Sequence, residues 1–120
     1  MQIAAGILVV LVAALHVYFL VLEMFLWRTP FGRRTFGTTA EAAESSAVLA
    51  GNQGLYNGFV AAGLLWGLIA HGVVSGRPIL TFFLACVIVA GVYGAATVSK
   101  RILAVQAAPA ALALALVWLA

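Results

Sequence analysis

The stretch Ile3–Trp27, IAAGILVVLVAALHVYFLVLEMFLW, decides the fold class. Glu23 is its single charged residue. As a helix it would run ~37 Å at 1.5 Å per residue, enough to cross a hydrocarbon core of ~30 Å. Three further apolar stretches follow, at Gly54–Val74, Ile79–Ser99 and Ile102–Ala120. With the polar turn that opens the second included, the expected spans are about 3–27, 52–74, 79–99 and 102–120. The expectation is an all-α polytopic membrane protein, a single four-transmembrane-helix bundle over 1–120.

Composition agrees. Of 120 residues, 66% are hydrophobic and 8% charged, and the mean hydropathy is +1.19. A soluble domain of this length carries about 25% charge and has no means of hiding so much apolar surface. The acids are Glu23, Glu41 and Glu44, with no Asp, and the bases are Arg28, Arg33, Arg34, Arg77, Lys100 and Arg101. A net charge of +3, thinly scattered, excludes a nucleic-acid partner, which needs a clustered basic face. Met1-Gln2-Ile3 offers no basic n-region and no cleavage site follows, so the first stretch reads as a retained span.

The connections are unequal. Ser75-Gly76-Arg77-Pro78 is a tight turn, and Lys100-Arg101 separates the last two spans. The first connection, about 28–51, opens with Arg28-Thr29-Pro30-Phe31-Gly32-Arg33-Arg34, turn chemistry with basic and aromatic headgroup anchors. Thr38-Thr39-Ala40-Glu41 then has capping-box spacing and begins a short Ala-rich helix. Continued to Val74, that helix would be ~50 Å long, so either a kink at Gly51–Gly54 or a cytoplasmic extension is expected. Five basic residues lie on the side of the first and third connections, against Arg77 alone on the other. Both termini are therefore expected on the extracytoplasmic side of a bacterial plasma membrane.

Polar residues inside apolar spans are costly and therefore informative. His16, Phe19, Leu20, Glu23 and Trp27 share one face of the first helix at helical spacing. Asn52, Gln53, Tyr56 and Asn57 crowd the start of the second. Tyr93 and Thr97 end the third, and Gln106 begins the fourth. Under the expected topology all of these fall in the cytoplasmic half, which predicts one inner-leaflet polar pocket with His16 at its floor. Glu23 and His16 are the candidate acid/base groups. Asn52, Gln53, Tyr56, Asn57, Tyr93 and Trp27 are the candidate ligand contacts. The bland alternatives are a Glu23 paired with Arg28 or Lys100, a hydrogen-bonded core His16, and amides acting as interhelical glue. His71 stands ~12 Å from the level of His16, too far for a shared haem, and Cys86 reads as core. No metal and no cofactor are expected. Paired cysteines, histidine boxes, clustered Asp, and HExxH, GxSxG and phosphate-loop patterns are all absent.

Leu22-Glu23-Met24 to Trp27 after His16, the block Asn52-Gln53-Gly54-Leu55-Tyr56-Asn57-Gly58, and Ala90-Gly91-Val92-Tyr93-Gly94 form a recognisable set. On these residues the whole chain resembles the small bacterial membrane proteins grouped as domain of unknown function 1304. The resemblance implies a four-helix integral membrane protein and supplies no activity. Three functions fit the residues. The first is a pocket that binds, and by analogy with membrane sterol isomerases moves a proton on, a small amphipathic or lipid-like molecule. The second is a small proton-coupled transporter using Glu23. The third is a non-catalytic assembly subunit. Membrane lipid is a partner in every case, and self-association into a homo-oligomer suits four short helices that barely enclose a cavity.

Overall fold

A computed structural model describes residues 1–120, and its regular structure is all helical. In order it forms α1 (Gln2–Met24), α2 (Pro30–Phe36), α3 (Ala40–Trp66), a π-helical segment (Gly67–His71), α4 (Gly72–Ser75) and α5 (Arg77–Thr97). A second π segment (Leu103–Ala107) leads into α6 (Ala108–Leu119). Three helical runs, Gln2–Met24, Ala40–Ser75 and Arg77–Thr97, are long and apolar enough to cross a membrane. Leu103–Leu119 is apolar but shorter, ~25 Å at helical rise. Two units are distinguished: Met1–Ala14 with Val60–Ala120, and Leu15–Phe59.

Several boundaries differ from the expectation. The Arg28–Arg34 stretch contains a helix, α2, instead of a plain turn. Thr29 caps it by accepting a hydrogen bond from the Gly32 N–H at 3.1 Å, Pro30 supplies a preset φ at its start, and Gly37 ends it in the left-handed region at φ 65°. The cap of α3 is Thr39, whose Oγ1 accepts from the Ala42 N–H at 3.1 Å. Glu41 therefore falls one position short of closing a capping box with it. The helix runs without a break through Gly51–Gly54 as one element from Ala40, and the irregularity comes later, at Gly67–His71.

In the first unit the core is built from Val9 and Val12 of α1, Leu64 of α3, Leu80, Leu84 and Val87 of α5, and Ala110, Ala113 and Val117 of α6. These fall at i, i+4, i+7 on α5 and i, i+3, i+7 on α6, the spacing of one helical face. Small residues let these helices pack closely. Gly63 and Gly67 do so on α3 and its π continuation, where an added Cβ would lie 2.3 Å from the Phe83 ring and 2.9 Å from Ile79. Gly91 does the same against Ala107. Cys86 is exposed, on the opposite side of α5 from Leu84 and Val87, which corrects its core assignment. Trp66 is also exposed. The second π segment sits just ahead of Pro109. A proline there cannot donate to the carbonyl four residues back, and a widened turn accommodates the ring.

Arg77 does more than mark a loop. Its Nε donates to the Val117 carbonyl at 3.1 Å, its terminal nitrogen donates to the Ala120 carbonyl, and its guanidinium lies 5.4 Å over the Trp118 ring. Trp118 in turn donates to Thr81 Oγ1 at 2.9 Å. The cation thus satisfies carbonyls at the end of α6 that have no helical partner. Arg77→Gln is expected to destabilise the protein by about 2 kcal/mol, the scale of charged hydrogen bonds. A lowered thermal midpoint in detergent checks it, and an unchanged midpoint would refute the clamp.

Candidate functional site

The second unit, Leu15–Phe59, holds the buried acid. The inward face of α3 here is a run of small residues: Ala43, Ala47, Ala50, Gly54 and Gly58, at intervals of three or four. Ala43, Ala50 and Gly54 are buried. A Cβ on Gly54 would stand 2.7 Å from Met24 Cγ, 3.1 Å from Glu23 Cβ and 3.2 Å from the Leu20 carbonyl oxygen. One on Gly58 would stand 2.7 Å from Leu20 Cδ1. Gly54, with Gly58 one turn later, therefore brings α3 against the last turns of α1, and at Gly54 the approach leaves no room for a larger residue without a shift. Gly58 is legible in the sequence as a close-contact glycine flanking the polar stripe, whereas the alanines and Gly54 that complete the run are passed over by a search for polar residues.

That approach places Asn57 on Glu23. The Asn57 Nδ2 donates to Glu23 Oε1 at 2.5 Å. Glu23 is 9% exposed. Arg28, one of the two cations expected to neutralise it, is engaged elsewhere: it forms the ion pair with Glu44 at 3.2 Å, on an exposed surface. The partner of the buried carboxyl is a neutral amide. His16 is also buried, two turns toward the N-terminus of α1, with the Phe19 ring edge-on at 5.5 Å.

The remaining candidates divide. Asn52, Gln53 and Tyr56 are exposed on α3, Tyr56 edge-on against Phe59 at 5.5 Å. Trp27 does not lie on the first helix, because α1 ends at Met24. The Val21 carbonyl accepts from both Phe25 and Leu26 and the chain turns away. Trp27 instead donates its indole N–H to Ser46 Oγ at 3.1 Å and packs on Phe36 at 4.8 Å. It holds the connection against α3. Tyr93 belongs to the other unit and lies on the exposed stripe of α5 with Cys86 and Thr97. Of the eight candidates, the structure joins Glu23 to Asn57 directly.

Gly54→Ala tests the close approach. Its new methyl group would meet a backbone oxygen and a Cβ as well as the Met24 side chain, so it is expected to cost about 1–3 kcal/mol. Gly51→Ala, three residues earlier and facing open space, is expected to raise stability by about 0.5–1 kcal/mol. Thermal unfolding of both in detergent separates them, and equal shifts would refute the packing argument.

Comparison with known proteins adds the family. An uncharacterized protein, YpaA, from Lactococcus lactis subsp. lactis (strain IL1403) is 34% identical over 116 residues, covering 95% of this chain and 96% of its own length. No solved structure matches the chain significantly. Residues 10–118 match the family described as Protein of unknown function (DUF1304). The block carrying Asn57 and the α1 segment carrying Glu23 both lie inside that match, and the chain belongs to this family.

Proposed function

We propose that the chain is a multi-pass protein of the bacterial plasma membrane whose Glu23–Asn57 centre binds the polar end of a small amphipathic or lipid-like molecule. In this reading Leu103–Leu119 makes a fourth, short crossing and both termini face outward, in keeping with five basic residues on one side against Arg77 on the other. Glu23 is the proton-transfer candidate and His16 a second, deeper group. Asn52, Gln53, Tyr56, Trp27 and Tyr93 are the secondary candidates for contact with the molecule.

One observation carries the reading: a buried carboxyl in a membrane-length helix whose hydrogen-bond partner is neutral. Such a group is expensive to keep in an apolar span and is a functional-site hypothesis by default. A structural hydrogen bond would be served more cheaply by two amides. The exposed Arg28–Glu44 pair shows where this chain puts an acid that needs only a counter-ion.

Native mass spectrometry of the protein released gently from membranes, beside Glu23→Gln and Asn57→Ala, tests it. A small molecule carried by the wild type and lost from both variants is the expected result. Three well-folded but equally empty proteins would overturn the ligand reading and move proton-coupled transport to the front. Transport ranks second because Glu23 lies in the last turn of α1, away from the middle of the helix where a carrier is expected. An assembly role ranks third, and a stoichiometric partner carried by the wild type and retained by Glu23→Gln would raise it.

A further inference from the structure

Arg33 and Arg34 are adjacent cations on α2. Neither forms an ion pair; the ion pair of this segment joins Arg28 to Glu44. Both line an open depression of about 320 Å³ completed by Pro30, Gly37 and Thr38. The Nε of Arg33 is shielded from solvent and has no acceptor. With that nitrogen enclosed by protein, the rest of the Arg33 guanidinium and that of Arg34 place two positive charges at one depression, a setting that suits an anion. The backbone N–H groups of Gly37 and Thr38 already bond the Arg33 carbonyl, so an anion here would be held by the two guanidiniums and the Thr38 hydroxyl.

The position says which anion. The depression belongs to α2, which starts after a five-residue turn from the end of α1, where lipid headgroups begin if α1 crosses the membrane. Phe25 and Phe31 are exposed on the same segment, 70% and 47%. Exposed phenyl rings on the same short segment as unpaired arginines suit the boundary between headgroups and acyl chains. A soluble anion would match the charge and leave the rings in water.

We propose that Arg33, Arg34 and Thr38 bind the phosphate of an anionic phospholipid, with Phe25 and Phe31 resting at the acyl boundary. The proposal rests on the membrane reading of α1 and is independent of the Glu23–Asn57 centre. It fixes where the first connection sits relative to the lipid surface.

Titration of detergent-solubilised protein with phosphatidylglycerol or phosphatidylcholine, read by native mass spectrometry, tests it. Wild type is expected to prefer phosphatidylglycerol by about thirtyfold, the factor two basic residues give at a membrane surface. Arg33→Gln/Arg34→Gln is expected to reduce that preference to threefold or less. Lys100→Gln/Arg101→Gln, which removes the same charge elsewhere, is expected to keep it. No preference in wild type, or equal loss in both double variants, would overturn the site. Complete displacement of the lipid by 10 mM (on the order of physiological) inorganic phosphate would overturn the lipid assignment, since charge alone would then suffice. Should the double variant fail to fold by circular dichroism, the single change at exposed Arg34 and Thr38→Val carry the same test, each with a partial loss expected. Release of the wild type from membranes by alkaline carbonate would refute the membrane reading itself, separately from the site.

Discussion

Gly32→Ala is expected to destabilise the protein by about 3 kcal/mol, at the upper end of what overpacking by one methyl group costs. An ideal Cβ on Gly32 would lie 1.9 Å from the Leu26 carbonyl oxygen and 3.1 Å from that of Trp27, and no other glycine has a nearer neighbour. Both obstacles are backbone. The Leu26 oxygen is also fixed by its bonds, accepting from the Thr29 N–H at 3.1 Å and the Thr29 hydroxyl at 2.6 Å. Thr29 Oγ1 simultaneously accepts from Gly32 N–H and so caps α2. A methyl group at position 32 must break this closed set of bonds and lift α2 off the turn. The accompanying sign is faster tryptic cleavage at Arg33 and Arg34, alongside a lowered thermal midpoint. Cleavage at the wild-type rate would show that the turn relaxes around the methyl group and would refute the argument. Phosphatidylglycerol selectivity should fall in the same variant, because the depression is made by α2.

The long apolar helices were legible in the sequence, whereas α2 and the inward faces of α3 and α5 were not. Hydropathy locates membrane-length segments because lipid and core demand the same apolar residues. For that same reason it cannot tell a core position from a lipid-facing one. Cys86 looks like core in a run of Phe, Leu, Ala, Val and Ile, yet it lies outward while Leu84 and Val87 lie inward. On α3 the informative signal was the absence of side chain. With Gly54 taken as the centre of the inward face, Ala43, Ala47, Ala50 and Gly58 all lie within about 40° of it at 100° per residue. On that wheel Asn57 is about 60° away, whereas Asn52 and Tyr56 are about 160° away, which is why a contiguous polar block divides. Trp27 was misplaced by extending the 3.6-residue period past a helix end that leaves no mark in side-chain polarity. Glu23 and Asn57 were both identified as candidates. Their pairing depends on the glycine contacts that close the distance, and these are packing information.

Asn57→Leu is expected to be strongly destabilising, by about 3 kcal/mol, while Glu23→Leu/Asn57→Leu recovers most of the loss. The two magnitudes that compete here are the worth of the bond and the cost of orphaning its acceptor. Under the proposed membrane reading, polar pairs between helices average only about 0.6 kcal/mol, so the Asn57–Glu23 bond would contribute little net stability. Truncating one partner is different. It leaves a buried carboxyl with no donor against apolar neighbours, a penalty of about 1–3 kcal/mol for a neutral group and more for a charged one. Replacing both partners removes the polar group along with its requirement, so the double variant should return toward wild-type stability. Glu23→Gln should remain folded throughout, because its amide oxygen still accepts from Asn57 Nδ2 in the same geometry. The cycle thereby separates two reasons for keeping a buried acid. If the doubly apolar protein is as stable as wild type but has lost its bound molecule, the carboxyl is kept for chemistry and not for the fold. If instead the double variant is as unstable as Asn57→Leu alone, the pair is structural, and the case for Glu23 as a functional group falls with it.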